Sequence, residues 1–348
     1  MNVTILGAGA WGTALGKILH DGGQAVTFWD IDVPTLAAVR AGRNERYLPG
    51  VELPRDWQAE PDWDRAIAGC ECLVFALPSK AFRAVAKRLQ GAPPILVSVT
   101  KGIEYDSGLT MCRILQEHAP TNGIAALSGP TFAYEVAKGI PTAIVCASED
   151  DAVSRQVQHL FHRPAFRVYR SADLRGVELG GALKNIIAIG AGVCDGLGYG
   201  DNSKAALITR GLAELRRFGV ACGAQAETFF GLSGVGDLTL TCFSQLSRNR
   251  ALASASGAGR RWTPSWPPGQ SWPRVIPRRA PLSGWPGKSA SPRLSSTKST
   301  PCSTRGRTSS KPCKTCLAAL SRPRTESAAA MFGCGVERPD PIQNDLYY

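Results

Sequence analysis

The sequence predicts an α/β chain: a doubly wound parallel sheet over residues 1–170, a mostly helical region over 171–250, and a tail over 251–348 that follows neither pattern. Three observations carry this. Short β-branched runs alternate with amphipathic segments through the first half, as they do where helices join parallel strands. From Ser171 onward helical spacing takes over. After Arg250 a proline arrives every few residues, which forbids helix interiors and central strands.

Residues 3–6 form an apolar run that ends in glycines, and 10–20 then read as a helix. Residues 25–29, 72–76, 95–99, 124–127 and 143–147 are the further buried strands. Residues 36–41, 80–89 and 109–118 are helices between them. In the second part 180–194, 203–218 and 224–230 have helical spacing. This helical region ends at 250 without enough residues to close its own core.

The formal charge of +12 is divided unevenly. Residues 1–250 hold 25 Lys+Arg against 24 Asp+Glu, whereas 251–348 hold 15 against 4. A basic tail can bind nucleic acid, but the near-neutral body asks for no such partner, and none is expected. The 11 cysteines include one C-x-x-C, Cys313 and Cys316, with no second pair to complete a four-ligand site, so no metal is expected. The body's cysteines lie among apolar residues, which fits a reducing, cytoplasmic location. The first twenty residues lack the basic start of a secretion signal. No run of 18 apolar residues occurs, so no membrane span is expected.

The tail holds 13 of the 24 prolines and four of the eight tryptophans. Disordered segments are poor in aromatics, so the composition points instead to a GC-rich coding sequence read out of frame. Codons can be chosen for residues 299–317 so that the shifted frame reads HAVLYEGQDIVKALQDL, an amphipathic helix end. The expectation is a frameshift near residue 250 and a largely disordered tail.

Gly7, Gly9 and Gly12 form a G-x-G-x-x-G directly after a strand and at the opening of a helix. The first permits a tight turn, the second lets backbone amides approach a pyrophosphate, and the third lets helix and strand pack closely. This is the Rossmann-type fingerprint, and Ala10 and Trp11 share the phosphate-facing turn. The second strand ends at Trp29, followed by Asp30, Ile31 and Asp32. One of these two acids would accept the ribose hydroxyls of NAD and repel the extra phosphate of NADP. Spacing alone leaves open which acid it is, or whether both are only loop residues.

Lys101, after the strand at 95–99, points into the crevice at the carboxyl end of the sheet. Ser128, Gly129, Pro130, Thr131, Phe132 and Ala133 make a second loop of small residues after a strand. Lys184 and Asn185 are the strongly polar side chains of an otherwise apolar helix. A lysine there must find a partner or lose its proton readily, which suits it to proton transfer. Asp237 could pair with that lysine, beside Thr241. Ser247, Arg248 and Asn249 follow, and an arginine fork suits a phosphate.

GAGAWGTAL, TKG, SGPTFA, GGALKNIIAIGAGVCDGLGYGDN, ALITRGLAE, GLSGVGDLTLTC and SRNR resemble the bacterial-type NAD(P)-dependent glycerol-3-phosphate dehydrogenases, over residues 1–250. The resemblance implies reversible reduction of dihydroxyacetone phosphate to sn-glycerol 3-phosphate, feeding glycerophospholipid synthesis. It implies Lys184 as proton donor and acceptor. Lys101, Gly129, Thr131, Asp237, Ser247, Arg248 and Asn249 would bind the phosphorylated triose, with Lys184, Asn185 and Thr241 in the same set. Trp11, Lys101, Ala133 and Arg248 would contact the cofactor, together with Gly7, Gly9, Ala10, Gly12 and Asp30. NAD is the expected cofactor, NADP its alternative, and a homodimer an allowed assembly. The chain departs from the family twice. Ile31 stands where many members are basic, and the Val-x-Glu-Gly segment expected 20–30 residues after Arg248 is missing. Two further readings compete: a dehydrogenase for a β-hydroxy acid, and a remnant that binds the nucleotide without turnover.

Overall fold

The computed structural model describes residues 1–89 and 93–257. The expectation of a disordered tail therefore lies, for 258–348, outside the described residues. The chain opens as β1 (Asn2–Leu6), α1 (Ala10–His20), β2 (Ala25–Trp29) and α2 (Val33–Arg40). It continues through β3 (Gln58–Ala59), α3 (Trp63–Ile67), β4 (Cys72–Phe75), α4 (Ser79–Ala86), β5 (Ile95–Ser98) and α5 (Met111–His118). Then come β6 (Gly123–Ser128), α6 (Ala133–Ala137), β7 (Thr142–Ala147), α7 (Asp151–Phe161) and β8 (Phe166–Ser171).

The strands form one sheet in the order β3-β2-β1-β4-β5-β6-β7-β8. Helices cover both faces, so the central strands are buried on both sides: β4 and β5 are buried at every position and apolar except at Ser98. Two apolar layers result, one built around Ile5, Phe28 and Phe161, the other around Leu73, Phe75 and Phe82.

The expectation of a wholly parallel sheet needs one correction. β7 runs antiparallel to β6, pairing Ala126 with Ala147 and Ser128 with Val145. The cause is the connection. Helix α6 has five residues, about 7.5 Å of rise, whereas a six-residue strand such as β6 covers about 20 Å. So short a helix cannot carry the chain back to the start of the sheet, and β7 itself makes the return.

Helices begin where side chains cap them. Asp32 accepts from the Thr35 amide at 3.3 Å, which starts α2 three residues before the expected position. Asp150 accepts from Ala152 N at 2.8 Å and starts α7, a helix the sequence reading did not include. β8 was also unexpected. Its Phe166 and Val168 alternate with Arg167 and Tyr169, which face outward.

The helical part begins with α8 (Leu174–Gly196), α9 (Asp201–Ala221), a 3-10 turn at Glu227–Phe230 and a π-type turn at Leu232–Gly236. It ends with α10 (Asp237–Phe243) and α11 (Arg248–Gly257). The helix expected at 224–230 is thus only a four-residue 3-10 turn. Asp173 caps α8 through the Gly176 amide at 2.8 Å, six residues before the expected start. Among the described residues α8 is the one helix long and apolar enough to cross a membrane. Here it is the core helix of this part, packed by β6, α9, α10 and α11.

α11 corrects the boundary at 250. The helix runs on to Gly257, with Leu252 and Ala253 buried. It lies so close to α8 that a Cβ on Gly192 would fall 2.2 Å from the Arg250 carbonyl oxygen. Leu252 and Ala253 give this helix an apolar side against α8, a signal that the proline-rich residues further on had obscured.

Candidate active site

One end of the site is the turn between β1 and α1. Gly7 has φ +110°, and a Cβ there would stand 2.5 Å from the Ala76 carbonyl oxygen. A Cβ on Gly12 would come within 2.0 Å of the Gly7 carbonyl oxygen. Both positions therefore require glycine for the turn itself. Gly9 is different: a Cβ would meet nothing within 4 Å. Gly9 also offers α1 no side-chain cap, so the first-turn amides face open space, as a bound pyrophosphate requires. The residues present fit a dinucleotide. Ala10, Trp11 and Ala133 line the same region, partly buried against one core layer.

The geometry separates the two acids that the sequence left unresolved. Asp30 accepts from the Ala8 amide at 2.7 Å and from the Asp32 amide at 3.0 Å, which places it against the glycine turn. Asp32 turns away to cap α2 and to pair with Arg46 at 2.6 Å. Asn44, which sequence reasoning missed, braces the turn from below. Its Nδ2 donates to the Ala8 carbonyl and to Thr13 Oγ1, each at 2.9 Å. A lone asparagine 32 residues beyond the motif carries no local signal of that role.

The other end is a buried charge group. Lys184, on α8, is 7% exposed and Asp237, at the start of α10, is 1% exposed. Lys184 Nζ donates to Asp237 Oδ1 and, at 2.8 Å, to Thr241 Oγ1. The Thr241 hydroxyl in turn donates to the Asp237 carbonyl at 2.6 Å. Lys101 Nζ donates to Asp237 Oδ2 at 2.5 Å and to the Gly129 carbonyl at 3.2 Å. One carboxylate therefore bridges a lysine of the sheet part and a lysine of the helical part. Burial pulls the Lys184 ammonium down to about 7, the nearby Lys101 charge adds to the fall, and Asp237 opposes it.

Lys101, Gly129, Lys184, Asp237 and Thr241 are thus brought into one hydrogen-bonded group. Thr131 joins at its edge, its hydroxyl donating to the Gly129 carbonyl at 3.3 Å. Asn185, half-buried on α8, stands outside the bonded group. Ser247 is buried and its Oγ accepts from the Arg250 amide at 3.4 Å, which caps α11; Arg248 and Asn249 are that helix's first residues. Ser128 was expected only as part of the small-residue loop, with no role of its own. Its buried hydroxyl has no partner among the described residues and lies against α8, where a Cβ on Gly181 would come within 2.5 Å of it. Among the described residues no group of three or more His, Cys, Asp and Glu is placed to hold a metal ion.

A pyrophosphate-shaped turn at the carboxyl end of a parallel sheet, facing helices that bury a lysine on a carboxylate, defines a two-part dinucleotide-dependent dehydrogenase. Comparison with known proteins narrows the class. Residues 2–154 match the family described as NAD-dependent glycerol-3-phosphate dehydrogenase N-terminus, and residues 173–264 match its C-terminal counterpart. A glycerol-3-phosphate dehydrogenase [NAD(P)+] of Syntrophotalea carbinolica is 48% identical over 268 residues, covering 75% of this chain and 80% of the relative. One from an Anaeromyxobacter species is also 48% identical, over 267 residues, with the same coverage. The crystal structure of glycerol-3-phosphate dehydrogenase from Coxiella burnetii superposes with a TM-score of 0.71 at 39% identity, covering 74% of this chain and 80% of that one. The chain belongs to the NAD-dependent glycerol-3-phosphate dehydrogenase family. The family match runs to residue 264, 14 residues past the boundary expected at 250.

Proposed function

We propose that this chain catalyses the reversible NAD(P)-dependent reduction of dihydroxyacetone phosphate to sn-glycerol 3-phosphate. The observation that carries the reading is the buried Lys184, held on Asp237 and Thr241 with its ammonium near neutrality. Bound nicotinamide dinucleotide supplies the hydride. Lys184 delivers a proton to the carbonyl oxygen of the ketone as it becomes an alkoxide, and takes it back in the reverse direction. Asp237 and Thr241 hold the Nζ in place for this. Lys101 and Gly129, with Thr131 and Asn185, bind the triose, and Ser247, Arg248 and Asn249 take its phosphate.

At the other end Gly7, Gly9, Ala10, Trp11 and Gly12 cradle the pyrophosphate, while Lys101, Ala133 and Arg248 border the cofactor. Asp30, beside the glycine turn, favours NAD over NADP, because a 2′-phosphate would meet its negative charge and Ile31 offers no cation. Arg46 does not change this, since Asp32 neutralises it. A cytoplasmic setting is supported by Cys72, Cys112, Cys146, Cys194 and Cys242, buried free thiols that a reducing compartment preserves.

The test is substrate-dependent oxidation of NADH and of NADPH. Dihydroxyacetone phosphate should be turned over with a kcat/KM higher for NADH. Turnover of a β-keto acid instead would give the site to a β-hydroxy-acid dehydrogenase. Cofactor binding without turnover of either ketone would make the chain a nucleotide-binding remnant.

A further inference from the structure

The residues assigned to the substrate phosphate begin α11, yet the proton-transferring Lys184 belongs to α8. Both ends of a three-carbon substrate must be held at once, so the two helices need a fixed spacing and register. A second buried charge cluster, outside the catalytic group, stands where it can fix them. Asp195 lies on α8 eleven residues after Lys184, about three turns on and so on nearly the same face, about 16 Å along the axis. Its Oδ2 accepts from Arg250 Nη1 and its Oδ1 accepts from Lys204 Nζ at 2.5 Å. Arg250 is 7% exposed and Lys204 8%. The other two guanidinium nitrogens of Arg250 bond its own approach loop: Nε donates to the Ser244 carbonyl at 3.0 Å and Nη2 to Gln245 Oε1 at 2.8 Å. Lys204, on the first turn of α9, also lies 5.3 Å from the centre of the Phe243 ring and 4.0 Å from the exposed Asp201.

One carboxylate thus ties α8, α9 and α11 together. Between the cluster and the catalytic group lies the buried Cys242 thiol, within electrostatic reach of Lys184 on one side and of Lys204, Arg250 and Asp195 on the other. Apolar packing alone would keep α11 on α8 through Gly192, Leu252 and Ala253. Such contacts are non-directional and tolerate a slide or a rotation. A guanidinium fork is directional and fixes both.

We propose that Asp195, Lys204 and Arg250 form a positioning clamp that sets the first turn of α11 against α8, and with it the grip on the substrate phosphate. The clamp rests on the functional reading above, in which Ser247, Arg248 and Asn249 take that phosphate. Without it α11 remains docked but out of register, so the phosphate is lost while the sheet part still binds nucleotide.

The experiment uses the full chain and its Arg250→Met, Arg250→Lys and Asp195→Asn variants. Calorimetry gives the Kd of sn-glycerol 3-phosphate and of NADH, with thermal melting alongside. Asp173→Asn is the structural control. It removes a carboxylate that holds the start of α8 through Gly176, Gln225 and Thr228 and that does not touch α11. Arg250→Met and Asp195→Asn should weaken sn-glycerol 3-phosphate by about tenfold or more, the scale of one charge-assisted contact, while NADH changes far less. Arg250→Lys, which keeps the charge without the fork, should fall between, and it carries the test if Arg250→Met fails to fold. Asp173→Asn should lower the melting temperature and leave the Kd in place. Wild-type affinity for sn-glycerol 3-phosphate in a folded Arg250→Lys and Asp195→Asn would overturn the clamp and leave the functional reading standing. Equal losses for both ligands, shared by Asp173→Asn, would reduce the cluster to ordinary stability. If the wild-type chain binds NADH but no sn-glycerol 3-phosphate, the functional reading falls and the clamp with it.

Discussion

At the residue scale the chemistry turns on the protonation of Lys184. Its ammonium is destabilised mainly by burial and titrates near 7 instead of near 10.5. Reduction needs the protonated form, so kcat for dihydroxyacetone phosphate should fall as pH rises through about 7, and the reverse reaction should gain. Asp237 is the group that holds the Lys184 value up. Asp237→Asn should therefore move the break in the reductive profile to lower pH, besides lowering kcat. Lys184→Ala should keep NADH binding and lose far more than about tenfold in turnover, since general acid–base catalysis contributes about 10²–10⁴-fold. Retained activity within tenfold would remove Lys184 from the mechanism. The same shift has a sign for stability. Between about pH 7 and pH 10.5 the unfolded chain holds a proton on this lysine that the folded chain does not, so Lys184's contribution to folding becomes more favourable as pH rises through that window. Most of this was legible in the sequence, because one lysine in an apolar helix demands a partner. That Lys101 would share the same carboxylate was not, since the two are 136 residues apart along the chain.

At the element scale the legible parts were those with a clean period. β2 and α1 fall where their patterns end, since β-branched and aromatic alternation and a glycine-bounded amphipathic run each point to one structure. β8 escaped because Arg167, Tyr169 and Arg170 interrupt its apolar residues, on a strand with one outward face. α7 escaped because its apolar positions, Val153, Val157, Leu160 and Phe161, are diluted by charged and polar neighbours. The glycine turn separates two kinds of constraint that the motif alone does not distinguish. Gly12→Ala should destabilise the fold, because the new methyl meets the Gly7 carbonyl oxygen. Gly9→Ala meets no protein atom and should melt like the wild type. Its methyl nevertheless enters the space in front of the uncapped α1 amides, so the Kd for NADH should rise by about tenfold or more, as expected when a phosphate is pushed off a helix N-terminus. Unchanged NADH binding in Gly9→Ala would show that the pyrophosphate sits elsewhere.

At the scale of the whole molecule the question is what covers the helical part. Leu197, Val220, Phe230, Phe243 and Leu246 are each close to half exposed or more, all of them on or beside its helices and turns. Exposed large apolar side chains on this part invite association. The chain is similar to its relatives over about four fifths of their length, and the family match stops at residue 264. The 84 residues after 264 (348 less 264) carry a proline-rich, basic composition. A change of frame is one account of both facts, and it would then fall after residue 264. The prediction is that a version translated in the shifted frame after residue 264 regains the missing Glu-Gly segment and the closing helices. It should bind less of a hydrophobic dye, stay soluble at higher concentration and exceed the present chain in turnover of dihydroxyacetone phosphate. Sequencing the coding DNA through codons 257–300 checks the same idea without any protein. If the present chain is as soluble and as active as the shifted version, the frameshift is wrong, and residues 265–348 are native sequence.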